Sequence, residues 1–98
     1  MPLFDLNTIA RNLPDAWSSK ILGQVNSARI KILRMNEMAY ANEVHDYNEG
    51  LLVLSGRMML EVSGKTIVLE SGQMYMVEAG VSHAVLPGSC GSLVIIDT

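Results

Sequence analysis

Cysteine, clustered positive charge and long apolar runs are all scarce in this chain of 98 residues. Its single cysteine, Cys90, cannot form an intramolecular disulfide, so nothing in the sequence indicates an oxidising compartment. The formal net charge is −3 and the cations are dispersed, which argues against nucleic acid or an anionic membrane as a partner. No apolar run approaches the roughly 18 residues of a membrane helix, and the N-terminus lacks a signal-peptide pattern. The sequence therefore predicts a cytoplasmic protein.

Charged residues are few as well, at 17% of the chain, whereas hydrophobic residues make up 49%. A chain of this length forms one domain with a modest core. It is apolar for its size, and surplus apolar surface usually goes into a subunit interface. We therefore expect a homodimer.

Glycine recurs at even intervals in the second half of the chain. The positions are eight residues apart, at Gly56, Gly64, Gly72, Gly80 and Gly88. Glycine suits turns with positive φ, and short β-rich segments between such turns are typical of an all-β barrel or sandwich. The units share little beyond their glycines, which disfavours a solenoid. We predict a turn at or beside each glycine, and an antiparallel double-sheet β-barrel over residues 27–98.

Residues 1–26 have only weak helical spacing, which Pro14 interrupts, and they are predicted to form an N-terminal arm with one short turn of helix. Residues 28–35 alternate like a half-exposed strand, and residues 36–42 are predicted to be a loop. Residues 51–54 are apolar on both faces, as are residues 93–96. A strand of that kind is covered on both sides, so the arm, a symmetry mate or both should supply the second cover.

Both histidines of the chain lie in stretches that also carry carboxylates. Glu43 and His45 are two residues apart and would point to the same face of one strand. Glu49 opens the next apolar run, and His83 follows the turn at Gly80. Two imidazoles and one or two carboxylates from separate strands make a plausible site for a divalent metal, although each side chain could instead be an ordinary surface or core residue.

The two stretches resemble the paired motifs of the cupins, which are small β-barrel proteins. The first cupin motif is Gly-x5-His-x-His-x(3 or 4)-Glu-x6-Gly, and its end is matched from His45 through Glu49 to Gly56. The second is Gly-x5-Pro-x-Gly-x2-His-x3-Asn, and Gly80 and His83 match it in spacing. The departures are Glu37 for the leading glycine, Glu43 for the first histidine, Glu78 for proline and Pro87 for asparagine. The resemblance covers residues 28–97 and implies a jelly-roll type of barrel.

The resemblance also implies a ligand set. His45, Glu49 and His83 would bind a divalent metal such as Fe, Mn, Ni or Zn. Glu43 is either a fourth ligand or a carboxylate at the barrel mouth. Glu43 and Tyr47 are the candidates for catalytic proton transfer.

Two classes of function stay open from the sequence. One is a metal-dependent enzyme that acts on a small oxygen-bearing molecule, as cupin dioxygenases, isomerases, decarboxylases and lyases do. The alternative is a metal-free module for ligand binding, sensing or dimerisation, without catalysis.

Overall fold

The computed structural model describes residues 3–38 and 40–98. These residues form one helix and eight strands. In chain order the elements are α1 (Leu6–Arg11), β1 (Lys20–Val25), β2 (Ala28–Met35), β3 (Tyr40–Glu43), β4 (Glu49–Val62), β5 (Lys65–Glu70), β6 (Met74–Val77), β7 (His83–Val85) and β8 (Cys90–Asp97). The predicted all-β class is confirmed. No helix in the described part of the chain is long and apolar enough to cross a membrane.

The strands pair antiparallel in the order β1-β2-β8-β4-β7-β3, and β5 and β6 also pair with β4. The first half of β4 pairs with β6 and β8, and its second half pairs with β5 and β7. Among the described residues these pairings leave β1 and β3 as the two ends of the path, so the sheet does not close on itself. Closure into a double-sheet barrel therefore stays a prediction.

Strand β4 runs without interruption through Gly56, so the turn predicted there is wrong. Gly56 instead pairs with Gly91 of β8, and both have positive φ. Fully extended, the 14 residues of β4 would span about 43 Å at 3.3 Å per residue, about the longest dimension of the molecule, 42 Å. The contacts of His83 show that the strand bends. His83 pairs with Val62 at one end of β4, and its side chain also reaches Glu49 at the other end.

The other four glycines lie in turns as predicted, all with positive φ. Ser63 and Gly64 both have positive φ, the requirement of a tight two-residue hairpin turn of type I′. The loop predicted at residues 36–42 is partly wrong, because β3 begins at Tyr40. That strand is four residues long and its sequence, YANE, has little β-branched or alternating character.

The core of the protein is formed by inward-facing side chains from both halves of β4 and from the strands that flank them. Leu51 and Val53 come from the first half, and Met58 and Leu60 from the second. The pairing partners add Leu33, Met35, Leu69, Val77, Val85 and Leu93. Side chains from both halves of β4 and from its partner strands thus form one cluster, and several of them line the cavity described below.

The N-terminal segment covers the opposite face of β2, β8 and β4. Asp5 caps α1 through the backbone N–H of Thr8, and Ala10 packs with Ile32 and Val94. Leu52 and Leu54 join the same cluster, which confirms that the segment helps to cover the strand that is apolar on both faces. Strand β1 within this segment was not predicted. An irregularity between Ile21 and Gly23 shifts its register and breaks the two-residue period by which a strand is recognised.

Candidate metal centre

Four side chains converge from three parts of the chain. Glu43 ends β3 and lies directly opposite His83, the first residue of β7. Glu49 is the first residue of β4, and His45 lies in the loop between β3 and β4. His45 is thus beyond the end of the strand, although it still reaches the same place as Glu43. All four side chains named from the sequence meet.

The imidazole nitrogens and the carboxylates alternate around this site. Nε2 of His45 lies 3.2 Å from Oε2 of Glu43 and 3.9 Å from Oε2 of Glu49. Nε2 of His83 lies 3.3 Å from Oε1 of Glu49 and 4.0 Å from Oε2 of Glu43. Each nitrogen therefore faces two carboxylates, and each carboxylate faces two nitrogens.

Glu43 is more central to this arrangement than the sequence suggested. One donor atom from each of Glu43, His45 and His83 lies within 4.8 Å of the other two. Glu49 contacts both histidines but is not in this mutually close set. Glu49 is buried, whereas the side chain of Glu43 is 45% exposed. The two carboxylates therefore differ mainly in their access to solvent.

The ring of His83 is oriented by its own backbone surroundings. Its Nδ1 lies 3.4 Å from the carbonyl oxygen of Val81, which accepts a hydrogen bond when Nδ1 is protonated. The ring is buried, and the other nitrogen, Nε2, faces the carboxylates. Such a contact on the far side of the ring favours the tautomer with Nδ1 protonated, which leaves Nε2 as an electron-pair donor.

His45 is held from both sides. Its ring stacks on Tyr47, with centroids 4.8 Å apart and planes 12° from parallel. Its carbonyl oxygen accepts a hydrogen bond from Gly80 at 2.7 Å, and Asn48 Oδ1 accepts one from the backbone of Ala79 at 2.9 Å. These bonds tie the loop after β3 to the turn before β7. The role of Asn48 was not predicted from the sequence, because its partner is 31 residues away.

Nε2 of His45 has no hydrogen-bond partner in the described structure, although the atom is buried. The nearest carboxylate oxygen, on Glu43, is within 3.2 Å but outside hydrogen-bond geometry. Buried polar atoms rarely lack a partner, and a bound cation would give this nitrogen one. The nitrogen thus points into the site with its ligand capacity unused.

Burial and nearby charges shift the pKa values of two groups at this site. Removal from water raises the pKa of the Glu49 carboxyl above its usual value, Glu43 and Asp97 raise it further, and the two histidines lower it. The pKa of the Tyr47 hydroxyl is also raised, first by burial and then by the nearby carboxylates of Asp97 and Glu49. Tyr47 therefore keeps its proton at neutral pH and is available as a hydrogen-bond donor.

A cavity of about 250 Å³ opens beside the four side chains. Its walls are about equally polar and apolar, and the core supplies Leu33, Leu51, Met58, Leu93 and Ile95 to the apolar part. Trp17 and Ser19 from the N-terminal segment complete the lining. Lys31 and Asp97 provide a second polar group in the same cavity, joined by a hydrogen bond of 2.8 Å. None of these last four residues was predicted from the sequence to belong to a site.

Comparison with known proteins assigns the chain to a family and shows solved structures of similar fold. The family described as "Cupin domain" matches residues 33–96. A cupin-2 domain protein from Shewanella frigidimarina has a similar solved structure, with a TM-score of 0.88 at 21% identity over 97% of this chain and 93% of that chain. For a protein from Neisseria meningitidis the TM-score is 0.83 at 20% identity, with 97% of each chain covered.

A third structure, hydroquinone 1,2-dioxygenase from Sphingomonas with 4-hydroxybenzoate bound, has a TM-score of 0.78. Its identity is 12%, over 91% of this chain and 69% of that chain. Identities this low establish a shared fold and nothing further. A search of curated proteins found no match.

Proposed function

This chain is a cupin, and we propose that it holds one divalent metal ion through His45, Glu49 and His83, with Glu43 as a fourth ligand. The observation that carries the proposal is the alternation of two imidazole nitrogens with two carboxylates around one point. His45 Nε2, a buried atom without a hydrogen-bond partner in the described structure, lies at the same point.

The donor set fits such an ion in spacing and in charge. Ligand bonds of about 2.0–2.2 Å put neighbouring donor atoms about 3–4 Å apart, and the four distances here are 3.2, 3.9, 3.3 and 4.0 Å. Two carboxylates balance two positive charges when both imidazoles are neutral. Without a cation, the buried carboxyl of Glu49 would be costly to ionise.

Nitrogen and oxygen donors of this kind suit Fe(II), Mn(II), Ni(II) or Zn(II). When bound, such an ion supplies Lewis acidity or activates oxygen. The protein itself supplies the apolar part of the cavity wall, and a protonated Tyr47 that can donate a hydrogen bond. Glu43 lies at the accessible side of the centre, where a carboxylate can take a proton from a bound molecule.

The cavity suits a small molecule with an oxygen donor. Its volume, about 250 Å³, is just below the range of about 300–1,000 Å³ for drug-sized ligands. The hydroquinone dioxygenase with the same fold is named for an oxygen-bearing aromatic substrate, which supports this class of molecule. The reaction is left open among oxygenation, isomerisation, decarboxylation and elimination.

Elemental analysis of protein purified without chelator tests the metal proposal. We expect about one equivalent of a divalent transition metal, and we expect the metal-free protein to take up one equivalent on titration. A wild-type protein that binds none at micromolar concentration would leave only the metal-free alternative. Turnover of small oxygen-bearing molecules by the loaded protein then separates an enzyme from a binding module.

We further propose that two copies of the chain form a homodimer. The outward face of β6 carries Met74 and Met76, both about half exposed. This patch continues the outer apolar face, whose other part α1 covers. Exposed apolar surface of this kind favours a protein contact.

The same proposal includes three further points. They are a double-sheet barrel, a division into an arm of residues 1–26 and a barrel of residues 27–98, and a cytoplasmic location. Two observations support the barrel: both halves of β4 and their partner strands share one core cluster, and the fold is similar to those of other cupins.

A further inference from the structure

We propose that Lys31 is the anchor for a carboxylate group, and that the ligand of this cavity is a small organic acid with a second oxygen donor. The acid group would lie against Lys31, and its hydroxyl or keto oxygen would face the metal centre. The inference rests on the proposed function and adds the substrate class.

Lys31 lies on the inner face of the sheet beside the metal centre. Its pairing partner on β8, Ile95, also pairs with Leu51 of β4. Asp97 and Glu49 are each two residues from that pair and share its face. Neighbouring strands are about 4.8 Å apart, so the backbones of Lys31 and Leu51 are separated by about 10 Å. Both side chains line the cavity, and a molecule with a chain of a few atoms could bridge its two polar ends.

The ammonium group of Lys31 has unused hydrogen-bonding capacity. A lysine has three donors, and within the described part of the chain Lys31 gives one of them to Asp97 Oδ2. Its side chain is 15% exposed, and that of Asp97 is 2% exposed. At sites with so little access to solvent, charge-assisted hydrogen bonds to a bound anion are stronger than they would be in water.

The charges around Asp97 do not balance. Arg29 Nη2 lies 3.3 Å from its Oδ1, and Lys31 Nζ lies 2.8 Å from its Oδ2. Two cations therefore share one buried carboxylate, which leaves a formal charge of +1. A closed structural pair would leave none. Arg29 does not line the cavity, but it shares the charge of Asp97 and so leaves Lys31 only partly compensated. The metal centre, with two carboxylates and one divalent ion, is formally neutral, so Lys31 suits a ligand with one negative charge.

Without the metal ion, the cavity is expected to disfavour a negatively charged ligand. Without the ion, the three carboxylates that line the cavity, from Glu43, Glu49 and Asp97, outnumber the one ammonium group of Lys31. An organic acid should then be repelled or bound only weakly. Carboxylate binding that depends on prior metal binding is therefore part of the inference.

The test uses Ni²⁺ as the metal, with glycolate, 3-hydroxypropanoate and 4-hydroxybutanoate as probes and their amides as neutral analogues. Trp17, the only tryptophan, lines the cavity and reports binding by fluorescence, and calorimetry provides a second readout. The variants are Lys31→Met, which keeps the apolar stem, and Lys31→Arg, which keeps the charge. Lys65→Met, an exposed lysine of β5, is the matched control.

We expect the loaded wild type to bind at least one acid about 10-fold or more tightly than its amide, as the loss of a charged hydrogen bond predicts. Lys31→Met should remove that preference, while Lys31→Arg and Lys65→Met retain it. Nickel affinity, measured first in each protein, should stay within about 3-fold of wild type in all three variants.

Three results would overturn the inference: equal binding of acids and amides by the wild type, no binding of either, or an unchanged preference in Lys31→Met. In each case nickel binding would leave the metal proposal standing. A wild type that binds no nickel refutes the proposed function, and this inference falls with it. If Lys31→Met does not fold, the comparison of acids with amides on the wild type decides.

Discussion

Gly56 of β4 lies directly opposite Gly91 of β8, and the two backbones approach so closely that neither residue has room for a side chain. A Cβ on Gly56 would overlap the carbonyl oxygen of Cys90, and one on Gly91 would overlap that of Ser55. Both residues also have positive φ. This close pairing lies where β4 changes its neighbours, and the bend of β4 brings Glu49 to His83.

Replacement of Gly56 or Gly91 by alanine should therefore destabilise the protein strongly. The overlap with backbone adds to the cost of positive φ, so we expect a loss of roughly 3 kcal/mol or more. Gly64→Ala is the matched control, because Gly64 has the same φ sign but no atom within 4 Å of the added Cβ. It should cost about 1–2 kcal/mol. Urea unfolding of the metal-free proteins measures the difference, and equal losses at Gly56 and Gly64 would contradict this expectation.

Loss of any one of His45, Glu49 and His83 should abolish or greatly weaken metal binding. Removal of an outer-sphere partner typically costs 10–100-fold, so loss of a direct ligand should exceed about 100-fold. Calorimetric titration of His45→Ala, Glu49→Gln and His83→Ala is the measurement. Glu78→Gln, an exposed carboxylate in the turn before β7, should bind like the wild type. Wild-type affinity in His83→Ala would show that the site is wrong.

Glu43 should contribute less than the histidines, because solvent reaches nearly half of its side chain and water can take its place. For Glu43→Gln we expect a loss of about 10-fold in metal affinity, equivalent to about 1.4 kcal/mol. Glu43→His places an imidazole where the cupin motif has its first histidine and should tighten binding. A loss in Glu43→Gln as large as that in His83→Ala would instead make Glu43 an indispensable ligand.

The raised pKa of Glu49 predicts how the stability of the metal-free protein depends on pH. A carboxyl whose pKa is higher in the folded state than in the unfolded state favours folding in its protonated form. The stability that this group contributes is fully present below pH 4.5, its ordinary pKa. It is lost as the pH rises through the higher pKa of the folded state. Glu49→Gln cannot ionise, so without metal it should melt at a higher temperature than the wild type at pH 7.

Thermal melts in chelator at pH 4 and pH 7 test this. The advantage of Glu49→Gln should shrink at pH 4, and saturating metal at pH 7 should reverse it, because only the wild type keeps its ligand. An advantage of the same size at both pH values would mean that ionisation of Glu49 is not its cause.

A charge on the outer face of β6 should dissociate the proposed dimer. Sedimentation of the wild type at micromolar concentration should give twice the chain mass of 10.7 kDa. Met74→Lys combined with Met76→Lys should give the monomer, because burying an unpaired charge in an interface is costly. Ile21→Lys, an exposed apolar position on β1, is the control and should stay dimeric. A monomeric wild type would refute the proposal.

Local patterns predicted the parts of the fold that depend on neighbours in the chain. The bounds of β2 and β6 follow from short-range composition and alternation, and four glycine turns follow from the need for positive φ. The pattern failed for β3, whose four residues give too short a signal, and for β1, whose irregular register breaks the two-residue period. Gly56 was misread because a glycine in a bend and a glycine in a turn look alike in sequence.

The sequence by itself determined which residues to expect at the site, because His45, Glu49 and His83 stand at the spacing of the cupin motifs that the chain resembles, and it left the place of Glu43 open. Tertiary structure alone decided that Glu43 belongs among them, since its contact with His83 depends on the pairing of β3 with β7. It also decided that Lys31 faces the same cavity, through a bond to Asp97, which is 66 residues away. Register between distant strands arises from the packing of the whole sheet, and no local pattern encodes it.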